Sequence, residues 1–142
     1  VFLGFLLTAC ATSSRKPGKD YYTGSDTVKF LASGVPDRVF FATNRSSLHS
    51  GAKGTLNKQA AYIKSSGISV VIEGHADERG TREYNLALGE RRANAVKDYL
   101  MSQGVASSKI TVISYGKERP VNPESSRLAW SQNRRSVTVK SK

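Results

Sequence analysis

The chain has 142 residues, which gives room for one domain of ordinary size. A compact fold of this length buries most of the surface that the unfolded chain exposes. A hydrophobic content of 38% and a charged content of 23% are typical of a soluble globular body, and the single cysteine excludes an intramolecular disulfide bond. Lysine and arginine number 22 against 11 acidic residues, so the net charge of +11 favours a polyanion or an anionic surface as neighbour.

The first ten residues differ in composition from the rest of the chain. Residues 1–9 are uncharged and largely apolar, but they are too few to span a bilayer, which needs about 20 apolar residues. We interpret them as the remnant of a signal peptide whose beginning is missing. The run Leu7-Thr8-Ala9-Cys10 resembles the bacterial lipobox, in which the cysteine becomes the lipidated first residue of the mature protein. The alternative is an ordinary secretory leader with a chance cysteine.

Residues 10–36 form a second compositional segment. They are rich in Ser, Thr, Gly, Lys and Asp and contain few apolar side chains. This composition predicts a lipidated N-terminus followed by a flexible tether, with a short helical piece near Asp26–Ala32. The domain itself is predicted to cover residues 37–142.

Within the domain, strand patterns alternate with helix patterns. The predicted strands are Arg38–Phe41, Ser69–Asp77, Lys109–Tyr115 and Arg135–Val139. The predicted helices are Thr55–Ser66, Arg82–Gln103 and Glu124–Asn133, with Ser50-Gly51 as a break before the first of them. The alternation indicates an α/β sandwich, with a mixed four-stranded sheet that contains parallel pairs and has helices packed on it.

The second predicted strand and the helix that follows it carry the most unusual residues. Leu88, Arg92, Val96 and Leu100 are spaced by four and share one helix face, so an arginine occurs among apolar side chains. A guanidinium that faces the core is costly to bury unless an anion pairs with it. Asp77 lies at the carboxyl end of the strand, where ligands bind in open α/β sheets. A carboxylate and a guanidinium held apart in one crevice would recognise a zwitterion.

Four motifs in this order resemble a known family. They are Glu73-Gly74-His75-Ala76-Asp77-Glu78-Arg79-Gly80-Thr81, Leu88-Gly89-Glu90-Arg91-Arg92-Ala93, Ser114-Tyr115-Gly116-Lys117-Glu118 and Asn133-Arg134-Arg135. Together they are similar to the OmpA-like peptidoglycan-binding domain, and most closely to its lipid-anchored members. The resemblance covers roughly residues 37–139 and implies a non-catalytic binding protein without metal or other cofactor.

The resemblance also implies which residues touch the ligand. In the family, the aspartate of the first motif and the second arginine of the Arg-Arg pair contact the diaminopimelate side chain of the peptidoglycan stem peptide. These positions are Asp77 and Arg92 here, with Leu88 as a wall of the site and Arg134 near the same cleft. Tyr84 and Asn85 are expected to support the loop after Asp77.

Two further ligand positions depart from the family pattern. The first strand of the family runs into an aromatic residue and an aspartate that touch the ligand, and this chain has Thr43 and Asn44 there. Asn44 can still donate and accept hydrogen bonds, whereas Thr43 lacks aromatic surface. The departure bears on affinity more than on the identity of the ligand.

The resemblance further implies a place in the cell. It implies an outer-membrane lipoprotein of a Gram-negative bacterium that faces the periplasm and ties the outer membrane to the peptidoglycan. It also implies partners of the Tol system such as TolB, and a role in envelope integrity and cell division.

Each of these residues also has a plainer explanation. Asp77 can cap the turn into the helix, and Arg92 can extend its head to solvent. Asn133-Arg134-Arg135 can be a basic sheet edge that resists aggregation. His75 lies two residues before Asp77 and is expected on the same strand face, mostly in a structural role.

Two other classes of function remain as alternatives. A cell-wall hydrolase or amidase would use His75 and Asp77, although no motif supplies a serine or cysteine nucleophile. A nucleic-acid binder would use the net positive charge, and its affinity would fall steeply with salt. The apolar leader and the lipobox argue against nucleic acid, because they direct the chain out of the cytoplasm.

Overall fold

The computed structural model describes residues 20–142. Its strands are β1 (Phe30–Ala32), β2 (Val35–Pro36), β3 (Arg38–Phe40), β4 (Val70–His75), β5 (Ile110–Gly116) and β6 (Arg135–Lys140). Its helices are α1 (Ser50–Ser66), α2 (Arg82–Ser102) and α3 (Arg127–Asn133), with a 3₁₀ turn at Ser107–Lys109. The predicted fold class, a mixed sheet with helices packed on it, is confirmed.

The main sheet has four strands in the order β3-β6-β4-β5. Strands β4 and β5 are parallel and are joined through α2, as expected for a crossover connection. Strand β6 is antiparallel to both β3 and β4, which places it inside the sheet. The hypothesis that Asn133-Arg134-Arg135 protects a sheet edge is therefore wrong.

Helix α1 begins five residues before its predicted start. Ser50 and Gly51 belong to its first turn, because the Nδ1 atom of His49 accepts a hydrogen bond of 3.2 Å from the amide of Ala52. Histidine is not among the preferred N-terminal caps, so the sequence pattern gave no signal for this start. The helix ends at Gly67, whose φ of 71° supplies the left-handed conformation that glycine adopts without strain.

Helix α2 matches its prediction closely. Thr81 caps it by accepting a 3.1 Å hydrogen bond from the amide of Tyr84, and the last helical residue is Ser102. As predicted, Leu88, Arg92, Val96 and Leu100 are all buried on one face.

A single core fills the space between the two long helices and the sheet. Leu56 and Ile63 of α1 meet Val96 of α2 there, together with Val70 and Ile72 of β4. Burying each such side chain fully contributes about 1.5–3 kcal/mol to stability.

The described residues before the predicted domain start are also ordered against the domain. Strands β1 and β2 form an antiparallel hairpin, and Leu31 lies in the core. The predicted helical piece near Asp26–Ala32 is wrong, because residues 30–32 form a strand. The boundary at residue 37 stays a prediction.

The contact between β4 and α2 is unusually close. A β-carbon added at Gly74 would collide with the backbone carbonyl of Gly89, and one added at Gly89 would collide with the side-chain oxygen of Ser114. Only residues without side chains allow this approach. It brings the middle of α2 against the end of β4.

Candidate functional site

The close contact between β4 and α2 positions a pocket at the carboxyl end of β4. Its volume is about 470 Å³, and it takes residues from the loop after β3, the loop after β4 and the first half of α2. The lining residues are Thr43, Asn44, Asp77, Arg79, Gly80, Tyr84, Asn85, Leu88 and Arg92. We call this the Asp77 pocket. It brings together five of the six residues that the resemblance implied for ligand contact.

Arg92 lies at the base of the Asp77 pocket and is 0% exposed. Its Nε, Nη1 and Nη2 atoms donate hydrogen bonds of 2.8, 2.9 and 3.1 Å to the carbonyls of Arg45, His75 and Ala42. Within the described chain these bonds go to main-chain carbonyls, and the pairing of this guanidinium with a ligand anion stays a prediction. The idea that its head extends to solvent is wrong.

Burial lowers the pKa of Arg92 to about 9, with the nearby Arg134 charge acting in the same direction. The guanidinium therefore still carries its charge at neutral pH. An arginine has five N–H donors, and the carbonyls take three of them. Two of its N–H donors take no part in these three bonds.

Asp77 supplies the negative charge of the pocket and is 7% exposed. Its Oδ1 accepts hydrogen bonds from the amide and Nε of Arg79 at 3.0 and 3.2 Å. Its Oδ2 accepts from Nη2 of Arg79 at 2.9 Å and from Nη1 of Arg134 at 3.2 Å. Burial raises the pKa of this carboxyl, but the bonds from the two arginines outweigh it and hold the pKa below its usual value. Asp77 is therefore ionised at neutral pH.

Arg134, which lies between α3 and β6, holds Asp77 in place. Its Nε donates to the carbonyl of Phe41 at 2.9 Å and its Nη2 to the carbonyl of Asp20 at 2.7 Å. The side chain is 5% exposed, and Arg134 is not among the residues that line the pocket. Its contact with the site runs through Asp77.

Thr43 and Asn44 form part of the rim. Thr43 donates through its hydroxyl to Asp20 Oδ2 at 2.6 Å, which ties the start of the described chain to the site. Asn44 has a φ of 57°, a left-handed conformation that asparagine tolerates better than most residues. Its Oδ1 accepts a 3.3 Å hydrogen bond from the hydroxyl of Tyr84.

Leu88 is buried and lines the pocket, as expected for its apolar wall. Asn85 supports the loop after Asp77, since its Nδ2 donates to the carbonyl of Arg79 at 2.9 Å. Arg91, one position before Arg92, is exposed and lies over Tyr84 outside the set of lining residues.

Arg79 is the pocket residue that sequence reasoning missed. Besides its bonds to Asp77, its guanidinium carbon lies 4.1 Å from the ring centroid of Trp130 on α3. Its spacing of two residues from Asp77 within a turn was a signal that this side chain could return to the carboxylate.

His75 lies away from Asp77. Its ring is 1% exposed, and its Nε2 lies 3.0 Å from Oε1 of Glu73. Strand β4 ends at His75, so the expectation that His75 and Asp77 share a strand face is wrong. Burial lowers the pKa of His75 and so favours the neutral ring, although the contact with the Glu73 carboxylate acts in the opposite direction.

Two negative findings apply to residues 20–142. No group of three or more His, Cys, Asp and Glu side chains in that range could hold a metal ion. None of the helices there combines the length and the apolar composition that crossing a membrane requires. Cys10 and the leader at residues 1–9 lie outside the described residues.

Comparison with known proteins gives the family of this fold and pocket. The model of the OmpA family matches residues 40–134, which include every residue that lines the Asp77 pocket. The chain belongs to the OmpA family.

The relatives within this family carry one name, peptidoglycan-associated lipoprotein. The protein of that name from Brucella melitensis is 43% identical over 148 residues, which cover 98% of this chain and 88% of the relative. The protein of that name from Mesorhizobium japonicum is 56% identical over 106 residues. That match covers 74% of this chain and 63% of the relative, so less than two thirds of its length is represented.

A solved structure supports the same assignment. The crystal structure of the peptidoglycan-associated lipoprotein from Burkholderia pseudomallei is similar with a TM-score of 0.72 and 39% identity. The likeness covers 74% of this chain and 90% of that one.

Proposed function

We propose that this chain binds peptidoglycan without covalent attachment, through the diaminopimelate side chain of the stem peptide. The observation that carries the proposal is the Asp77 pocket, in which an ionised carboxylate and a buried guanidinium with two unused donors face one cavity. The free end of diaminopimelate carries an ammonium and a carboxylate on one carbon. The two charges of the pocket complement these two groups.

The proposed contacts follow from the chemistry of each lining residue. The ligand ammonium bonds to Asp77, and the ligand carboxylate takes the two unused donors of Arg92. Leu88 packs against the carbon chain of the ligand, and Asn44 and Thr43 contact it at the rim. Arg134 keeps Asp77 oriented and ionised from the side away from the ligand.

The names of the relatives support this assignment. The Brucella and Mesorhizobium relatives are named as peptidoglycan-associated lipoproteins, and this chain shares their family. By the same reasoning we propose the chain as an outer-membrane lipoprotein that ties that membrane to the cell wall from the periplasmic side. Proteins of the Tol system, such as TolB, are its proposed partners, with roles in envelope integrity and cell division.

We propose no catalytic step. His75 is bonded to Glu73, and its ring is buried beside that carboxylate rather than in the Asp77 pocket. A base that abstracts a proton must reach the substrate, and this ring is not positioned to do so.

A pull-down on purified sacculi tests the proposal. The protein should sediment with sacculi and be released by free diaminopimelic acid, but not by 1,5-diaminopentane at the same concentration, because this diamine lacks the carboxylate that Arg92 is proposed to bind. Binding that ignores diaminopimelic acid and disappears on raising the salt would contradict the proposed site and favour a nonspecific charge interaction. Release of soluble fragments from sacculi, lost in His75→Ala, would favour the hydrolase alternative.

The lipid anchor needs a separate test. Cys10 should carry a thioether-linked diacylglycerol and an acylated amine, since two or more chains hold a protein on a membrane where one does so only marginally. Intact mass spectrometry of membrane-extracted protein measures this directly. A mature chain with unmodified Cys10, or a Cys10→Ser variant that still fractionates with membranes, would rule out the anchor.

A further inference from the structure

Asp77 has no acceptor position left for an incoming ammonium. A carboxylate offers about four lone-pair positions, and Asp77 already receives four hydrogen bonds. Three of these come from Arg79 and one from Arg134. A ligand ammonium can bond to Asp77 only if one of these donors moves.

The two arginines differ in how firmly they are held. Arg134 is 5% exposed, and its Nε and Nη2 are tied to the carbonyls of Phe41 and Asp20. The Arg79 side chain is 41% exposed and lines the pocket. Within the described chain, the Arg79 side chain makes only one other hydrogen bond, from Nη2 to the hydroxyl of Thr43 at 3.5 Å. Arg79 is therefore the donor that can leave.

A resting place for the displaced guanidinium already exists. Arg79 already lies over Trp130 while it is bonded to Asp77. A guanidinium can slide over an indole face while it keeps much of its cation–π attraction. The indole itself is fixed, because its Nε1 donates to Glu78 at 2.8 Å.

We infer that the side chain of Arg79 occupies the ammonium position of the site in the free protein, and that the ligand ammonium displaces it from Asp77 along the face of Trp130. This inference rests on the proposed diaminopimelate function and adds to it a residue that competes with the ligand ammonium for Asp77. Binding then exchanges one cation for another at Asp77. A ligand without an ammonium leaves the Arg79–Asp77 pair in place, so Arg79 lowers the affinity only for ligands that carry the ammonium.

Affinity measurements on Arg79→Gln test the exchange. The probes are a synthetic stem peptide that ends in diaminopimelate and the same peptide with aminopimelate, which lacks the second amino group. Arg79→Gln should bind the diaminopimelate peptide about threefold to tenfold more tightly by calorimetry, because the competing ion pair is gone. Its affinity for the aminopimelate peptide should not rise.

Arg82→Gln is the matched control. Arg82 is an exposed arginine near the same loop, paired with Glu118 at 3.6 Å and absent from the pocket lining. Its replacement removes the same charge from outside the pocket. The affinities for both peptides should therefore stay unchanged. Equal or weaker binding of the diaminopimelate peptide by folded Arg79→Gln would overturn the inference, as would an equal gain in Arg82→Gln.

Fluorescence gives an independent readout of the movement. Trp130 is the only tryptophan of the chain, so its emission reports the Arg79 contact without a label. The diaminopimelate peptide should change this emission in the unmodified protein with the same midpoint as calorimetry. Arg79→Gln should bind without that change, and an identical change in this variant would contradict displacement. If the unmodified protein binds neither peptide, the proposed function itself fails, which is a distinct result.

Discussion

At the scale of single residues, Arg92 combines two roles that are usually separate. It is the largest side chain among the most deeply buried residues of the described chain, and through three carbonyls it joins the loop after β3 and the end of β4 to α2. A lysine could not present this planar set of donors. The same geometry that holds these segments together leaves a positive charge facing the pocket.

Arg92→Leu should therefore damage folding as well as binding. It removes a donor from the carbonyls of Arg45, His75 and Ala42, of which Ala42 keeps the amide of Arg45, and a buried carbonyl left unsatisfied costs about 1–3 kcal/mol. Arg91→Leu is the control. Arg91 is exposed, so its replacement should change the free energy of unfolding by no more than about 0.5 kcal/mol. Urea denaturation of both variants measures this. Equal stabilities for the two would show that the carbonyl contacts contribute little.

His75 provides a prediction for the pH dependence of stability. Burial lowers its pKa in the folded protein from the usual 6.5, so below that pH the unfolded chain binds a proton that the folded chain resists. The free energy of unfolding should consequently fall as the pH drops from 7 through 6.5 and below. His75→Gln should show a shallower fall between about pH 7 and pH 5.5 in urea titrations. An unchanged slope would mean that other groups cause the dependence.

At the scale of elements, the pocket depends on how closely α2 packs on β4. Gly74 and Gly89 permit this packing, since a side chain at either would meet the other element. Arg92 lies one turn after Gly89 on the same helix, and its carbonyl partner at His75 directly follows Gly74. The distance between these elements therefore sets the position of the guanidinium.

Gly74→Ala should push α2 away from β4. Overpacking of this kind costs about 1–3 kcal/mol, and the shift should also weaken ligand binding through Arg92. Gly54→Ala is the control, because a β-carbon there meets no atom within 4 Å and alanine favours the helix interior. Thermal unfolding compares the two. A Gly74→Ala protein as stable as the parent would contradict the close contact.

The elements also show what sequence patterns could and could not predict. The buried face of α2 could be predicted because Leu88, Arg92, Val96 and Leu100 are spaced by four positions. Strand β4 could be predicted because its apolar residues are contiguous. The start of α1 was missed because its cap is a histidine, and the β1–β2 hairpin was missed because it packs through a single core leucine. Local composition favoured a break before α1 and a short helical piece near Asp26–Ala32, and tertiary contacts decided otherwise.

The site likewise combines residues with a local sequence signature and contacts that only the folded chain creates. Asp77 and Arg92 could be identified from motifs within one β–α unit. The bond between Arg134 and Asp77 joins residues 57 positions apart, and that between Asp20 and Thr43 joins residues 23 apart. Neither pairing has a local signature, so only the folded chain brings these groups together. The carbonyl partners of Arg92, 17 to 50 positions away, were missed for the same reason.

At the scale of the whole molecule, a predicted leader and lipid site precede a domain that contains the charged Asp77 pocket. The net charge of +11 suits an anionic surface in general, but it does not identify a ligand. The specific recognition is assigned to one pocket with one ionised carboxylate and one buried guanidinium. A shaped site and a general charge attraction make different predictions for single substitutions.

The most direct measurement is the affinity of Asp77→Asn for purified sacculi, compared with that of Arg91→Leu. Asp77→Asn keeps the shape of the side chain and removes the charge that meets the ligand ammonium. Loss of one partner of a buried charge pair costs about 2–5 kcal/mol, or roughly thirtyfold or more in affinity. The account predicts this loss for Asp77→Asn and normal binding for Arg91→Leu. Normal binding by Asp77→Asn that remains folded by circular dichroism, or an equal loss in both variants, would contradict it.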